Sequence, residues 1–290
     1  TLGTQSRSRR AIEAIRNHNA NARSALDDYL TTFAEEFERF RISDATDEAV
    51  INNIEEFLPY RNEYIEVLSI LSRYNSVQKP EQSLHRFFEQ ALAYCYKPPH
   101  ISSWRTWDFD NFKFIVHELF LYTIAILLRQ ERFADINNLL SGGFYLGDAA
   151  ENQSNPIENF RAFRHYLESL AAYNQSQKLN KLSLHADLLE KRGASSGLKF
   201  SYLMQADFIL FVRDSVEALH HGTRQRWWPE TLIYAQRQYG PFEIFARSQS
   251  SAYFDQIKEM LGISSPDELR TLIKSMDQSS QSKLRNPSWG

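Results

Sequence analysis

The stretch from Phe112 to Leu128 is the most apolar in the chain, and beyond Lys113 only the His117-Glu118 pair interrupts its charge-free run. Wound as a helix, it is apolar on nearly every face. A helix of that kind has to be surrounded by other elements. It is also shorter than the roughly 20 residues of an ordinary membrane span, so the sequence predicts a core helix and no membrane. The chain can supply the surroundings: 42% of its 290 residues are hydrophobic and 13% aromatic, enough to bury a sizeable core without disulfides or metals. Ten glycines and nine prolines are few for an all-β fold, whose tight turns need glycine at positive φ. The expected fold class is all-α, an irregular multi-helix assembly.

Along the chain, Ile12, Ile15, Ala22, Leu26, Tyr29, Phe33, Phe37 and Phe40 fall at steps of three or four, with one gap near Asn19. This spacing predicts one long helix over about 6–40, whose weakly apolar first turns project or pair with a partner. Asp44 or Thr46 is placed to cap the next helix, which Pro59 should end or kink. Pro80 should open another, and Asp108 or Asp110 should cap the central one. A short helix over 133–140 should stop at Gly142-Gly143. Residues 147–156 are polar and suit a boundary between an N-terminal lobe (1–146) and a C-terminal lobe (157–276), with a tail over 277–290. The second lobe reads as helices near 157–173, 179–191, 197–220, 230–239, 242–246, 250–261 and 265–276. No alternation suited to strands and no fixed-period repeat is found.

The net charge is −3 and the pI about 6.3, without the basic footprint of a dedicated nucleic-acid binder. Arg7, Arg9, Arg10, Arg16 and Arg23 crowd the start and acids follow them. A solvated helix surface is the plainer reading, and a docking surface for an acidic partner the sharper one. Cys95, the single cysteine, reads as a buried structural thiol. The polar start lacks the apolar run of a signal peptide, so the expected location is cytoplasmic. A start at Thr1 fits a removed methionine or a piece of a longer protein.

Phosphate-binding glycine loops are absent. His117-Glu118 opens a zinc-protease string, but Leu121 stands where the second histidine belongs. His220 and His221 point about 100° apart on a helix. No metal and no cofactor is expected. Trp104, Trp107, Phe109, Phe112 and Phe114 read as core in preference to base-stacking groups. Trp227 and Trp228, beside Arg224 and Arg226, offer a recognition knob with cation–π contacts.

The string from Arg213 through Asp214 to His220 resembles the R-x(4–6)-H motif of HEPN ribonucleases, which are also all-helical. The resemblance implies that His220 would be a general acid/base in RNA cleavage and Arg213 would stabilise phosphate charge. On a helix both side chains lie on one face. A broader resemblance rests on FKFIVHELFLY (112–122), LMQADFIL (203–210), WWPETLIY (227–234) and FEIFARSQS (242–250). These strings are similar to helical regions that accompany effector domains in bacterial anti-phage defence proteins. Spanning about 81–276, the resemblance implies a sensor, oligomerisation or regulatory module. The leading expectation is therefore a non-catalytic interaction module with a protein partner or itself. Its candidate surfaces are Arg9, Arg10 and Arg16, and the turn of Arg224, Arg226, Trp227 and Trp228. A metal-independent ribonuclease using Arg213 and His220 is the alternative, and nucleic-acid binding is less favoured.

Overall fold

The computed structural model describes residues 2–98, 102–146, 156–237, 241–272 and 274. They form an all-α multi-helix fold. The helices are α1 (Gln5–Arg16), α2 (Ala22–Glu36), α3 (Asp47–Glu56), α4 (Leu58–Arg73), α5 (Pro80–Ala93), α6 (Asp110–Arg129), α7 (Phe133–Ser141), α8 (Glu168–Ser176), α9 (Leu184–Gly193), α10 (Phe200–His221), α11 (Glu243–Arg247) and α12 (Ser251–Leu261). Residues 266–272 are also helical. Short 3-10 turns occupy Phe37–Phe40, Phe160–Phe163 and Glu230–Arg237. Strands β1 (Phe144–Tyr145) and β2 (Ile157–Glu158) form a small antiparallel ribbon, with Tyr145 opposite Ile157.

Helix α6 is the axis of the fold. Helices α3, α4, α5, α7 and α10 and the turn at Phe160–Phe163 all pack on it, which is why its sequence is apolar all round. At 20 residues it is long enough to cross a membrane, contrary to the length argument above. Burial separates it from a span, since 94% of its most apolar window lies inside the fold. One core cluster runs from Ala11 to Leu272 and takes side chains from both candidate lobes. The boundary expected at 147–156 falls, apart from Pro156, outside the described residues, as does the tail over 277–290.

The single long helix expected at the start is two helices. α1 ends at His18, which takes the left-handed conformation (φ 52°), and Asn19 N–H donates back to Ala14 O at 2.9 Å. This is the Schellman closure, usually built on glycine. Ser76 holds it by bonding both Ile15 O and His18 Nδ1. α1 therefore folds back on α2 and α4, burying Ala11, Ile12, Ala14 and Ile15, and does not project.

Thr46 caps α3 as expected, accepting from Ala49 N–H. Pro59 lies in the first turn of α4 and Pro80 opens α5. Neither Asp108 nor Asp110 caps α6. Asp110 instead accepts from Lys113 Nζ (2.8 Å) and Ser169 N–H (3.0 Å), which ties α6 to α8. The helix expected over 157–173 is β2, a 3-10 turn and an extended stretch before α8. The Phe160, Phe163, Leu167, Leu170 spacing suits a helix, but Asn159 caps a single 3-10 turn and the chain then straightens so that Arg164 can reach Trp228 O at 2.9 Å.

A buried ion network joins four helices. Glu118 of α6 accepts from Arg192 Nε (3.0 Å) and Nη2 (2.7 Å), and lies 3.6 Å from Arg61 Nη1. Arg61 donates to Tyr122 Oη, Arg192 O and Ser195 Oγ. Arg192 also donates to Ile54 O at 2.7 Å. The His117-Glu118 pair thus serves the interior, as the plainer reading of that string requires.

Candidate binding region and its cleft

Helix α10 is apolar apart from a few groups, among them Asp207 and Asp214, both fully buried and two turns apart. Buried carboxylates need donors, and the segment over 226–231 supplies most of them. Asp214 Oδ2 accepts from Arg226 N–H (2.7 Å) and Trp227 N–H (2.5 Å), while its Oδ1 bonds Arg161 Nε. Asp207 accepts from Trp227 Nε1 (2.8 Å) and from both Thr231 N–H and Thr231 Oγ1. Burial outweighs these donors and pushes the Asp207 carboxyl up to about 6. The two acids thus strap 223–231 along α10.

The strap splits the expected knob. Trp227 is completely buried, against His117 and Phe160, and takes no part in a surface. Trp228 is 62% exposed, and Arg224 and Arg226 are exposed as well. Arg226 approaches Glu158 at 3.8 Å. At the other candidate surface, Arg9, Arg10 and Arg16 are exposed on α1, and Arg10 pairs with Asp28 of α2 at 3.1 Å. Charge on the folded hairpin is partly cancelled there. Phe109, Phe112 and Phe114 are core, whereas Trp104 is about half exposed.

Arg213 and His220 serve two different joints. Arg213 is 8% exposed. Its Nη1 donates to Glu259 O, Met260 O and Asn137 Oδ1, its Nη2 to Ser141 Oγ and its Nε to Glu217. It closes the ends of α7 and α12 against α10. Gly262 makes room for it: the glycine is left-handed (φ 74°), and a side chain there would meet Arg213 at 3.1 Å. His220 is exposed and bonds Glu268, holding the helix over 266–272. Cys95 is buried, which pushes its thiol up to about 12. Among the described residues, no three histidine, cysteine or carboxylate side chains gather as a metal site would need.

The sequence reading did not single out the cleft between α8 and α9. Its walls are Leu167, Leu170, Leu182 and Leu184, with Arg164, Ser183, His185 and Glu230 among them, around about 190 Å³. Glu230 bonds both Arg164 and Ser183 Oγ. His185 is buried, and its Nε2 lies 3.0 Å from His117 Nδ1. Burial holds both imidazoles well below the usual histidine range. At the rim, Tyr166 is 74% and Leu182 92% exposed. Leu179 and Leu182, apolar among Lys178, Asn180 and Lys181, were the available sequence signal. No known protein family, curated protein or solved structure matches this chain.

Proposed function

We propose that this chain is a helical protein-interaction module that meets another protein, or a second copy of itself, through the region between residues 104 and 228. One observation carries the reading. Among the described residues every exposed large hydrophobic side chain lies there: Trp104, Tyr145, Ile157, Tyr166, Leu179, Leu182, Leu219 and Trp228. Single exposed apolar residues are ordinary, but Tyr145 stands opposite Ile157 in the ribbon and Tyr166 shares the rim of one cleft with Leu182, and adjoining exposed apolar groups mark interaction surfaces. Aromatic groups beside arginine, as at Arg226 and Trp228, are enriched where partners bind. The commitment of Arg213 to five hydrogen bonds within the fold favours this reading over ribonuclease chemistry. The likeness to helical regions of anti-phage defence proteins extends the proposal to a cytoplasmic sensor or regulatory part of a bacterial defence system, working beside a separate effector.

The test compares the wild-type chain with a Tyr166→Ser, Leu182→Ser, Trp228→Ser triple variant. All three positions are exposed, so the fold should be kept. Sedimentation velocity reads self-association, and affinity capture from a bacterial extract reads other partners. The reading requires an association that the triple variant loses. It fails if the variant associates as the wild type does, or if the wild type cleaves RNA and His220→Ala abolishes the cleavage.

A further inference from the structure

We propose that the cleft between α8 and α9 binds a small uncharged molecule, about one ring in size, that accepts a hydrogen bond from Nδ1 of His185. The inference goes beyond protein docking: the cleft shares Tyr166 and Leu182 with the docking region, but the binding concerns the isolated chain and is read without any partner.

Size and wall chemistry come first. A cavity of roughly 150 Å³ holds a benzene ring, and this cleft, open to solvent on one side, offers about 190 Å³ beside Leu167, Leu170 and Leu184. Most polar groups on its wall are already engaged. Arg164 spends its three nitrogens on Trp228 O, His165 O and Glu230. Ser183 Oγ bonds Glu230 and accepts from Ala186 N–H. Asn174 bonds the backbone of Lys181 in both directions.

His185 differs. It is 6% exposed, its Nε2 is taken by His117, and no protein group meets its Nδ1. That nitrogen is not one of the enclosed, partnerless atoms of the fold, so solvent reaches it, and because His185 lines the cleft a ligand there can take the place of that water.

The tautomers decide what that partner offers. Both imidazoles are neutral, so each carries one proton. His117 Nε2 is enclosed and meets no hydrogen-bonding group. Buried N–H groups without an acceptor are rarer than buried acceptors without a donor, so the proton of His117 sits on Nδ1 and points at His185 Nε2. His185 then carries its proton on Nδ1 and presents a donor to the cleft. With Arg164 matched by Glu230 and both histidines neutral, the site holds no spare charge for an ionised ligand, and burying an unpaired charge is costly. An uncharged ring bearing a carbonyl or ether oxygen fits these constraints.

The experiment uses the whole chain with 15N-labelled histidine, and follows the imidazole resonances by NMR. His185 and His117 are assigned from His185→Phe and His117→Phe spectra. The probes are acetophenone, toluene (similar in size, without the acceptor) and benzoate (the charged counterpart). Acetophenone should shift the His185 and His117 resonances together and saturably. Toluene should bind about fivefold more weakly, the worth of one net hydrogen bond, and benzoate should not bind. In His185→Phe the preference for acetophenone over toluene should vanish. Should that core substitution fail to fold, Ala171→Trp decides: Ala171 is exposed on α8 and lines the cleft, so the tryptophan should block both probes while the circular dichroism stays unchanged. Equal binding of acetophenone and toluene, preference for benzoate, no saturable shift, or undiminished binding to Ala171→Trp each overturns the proposal.

Discussion

Residues 2–98 and residues 102–237 handle polarity in opposite ways. In the first region aromatic rings fill the interior. Phe33 alone meets Tyr29, Phe37, Phe57, Tyr60, Tyr64 and Phe87. Charge there lies mostly outside, in pairs such as Arg86–Asp27 at 3.0 Å and Arg39–Glu36 at 2.7 Å. The first region also buries Arg61, Glu63 and Glu81, but the second buries more carboxylates and imidazoles, Glu118, Asp207, Asp214, His117 and His185 among them, and it alone leaves large apolar side chains exposed among the described residues. An exposed leucine alone says little, whereas buried polar groups together with exposed apolar ones are informative. The first region resembles a structure optimised for its own stability. The second spends polar bonds to hold an apolar surface in place.

Breaking the joint between the regions should have the largest effect. Glu118→Ala strands two buried guanidinium groups and should lower stability by about 3–5 kcal/mol in urea unfolding. A loss below about 1 kcal/mol would mean that water replaces the carboxylate.

Acid should act on the second region next. The folded chain holds His117 and His185 neutral while the unfolded chain protonates them below about pH 6.5. Their stabilising contribution is therefore full above that pH and is lost as pH falls. While the folded chain keeps it neutral, each histidine should cost stability as pH falls below about 6.5, by at most about 1.4 kcal/mol per pH unit. In His185→Phe the slope of unfolding free energy against pH should drop by that amount.

Asp214→Ala leaves the N–H groups of Arg226 and Trp227 without their acceptor and should cost about 1–3 kcal/mol. The loosening should be local, with a red-shifted Trp227 emission and faster hydrogen exchange over 223–231. Amides of α2 and α4 should keep their protection. Global loss of protection would show that the two regions unfold as one.

The smallest change in stability is expected at the apolar surface. Tyr166→Ser and Leu182→Ser should move unfolding by no more than about 0.5 kcal/mol, while the association they serve is weakened.

The central helix was legible because its surroundings on every side left a mark on its own residues. The ends of two further helices were legible because glycine marks them. α10 and α12 close in Schellman turns on Gly222 and Gly262. α1, α6 and α8 close in the same way on His18, Glu131 and Lys178, residues that carry no such signal, so the first helix was read straight through its turn. The stretch over 157–173 was misread because its apolar spacing is helical, while the contacts that straighten it come from Trp228 and Glu230, far along the chain. The candidate site was half legible. Trp228 and Arg226 could be named, but the burial of Trp227 depends on two aspartates whose partners lie in another segment. His185 gave no signal, since its partner His117 is 68 residues away.

The Arg61–Glu118–Arg192 network also bears on how the chain acquires its fold. Arg61 reaches Arg192 O across 131 residues, and Arg192 reaches back to Ile54 across 138. Closing so long a loop must precede the reward. Arg61 and Glu118 both precede Arg192 in the chain, so the network can be completed only once α9 has been added, and the loop-closure cost falls on that step. In that sense α9 is the bolt of the assembly.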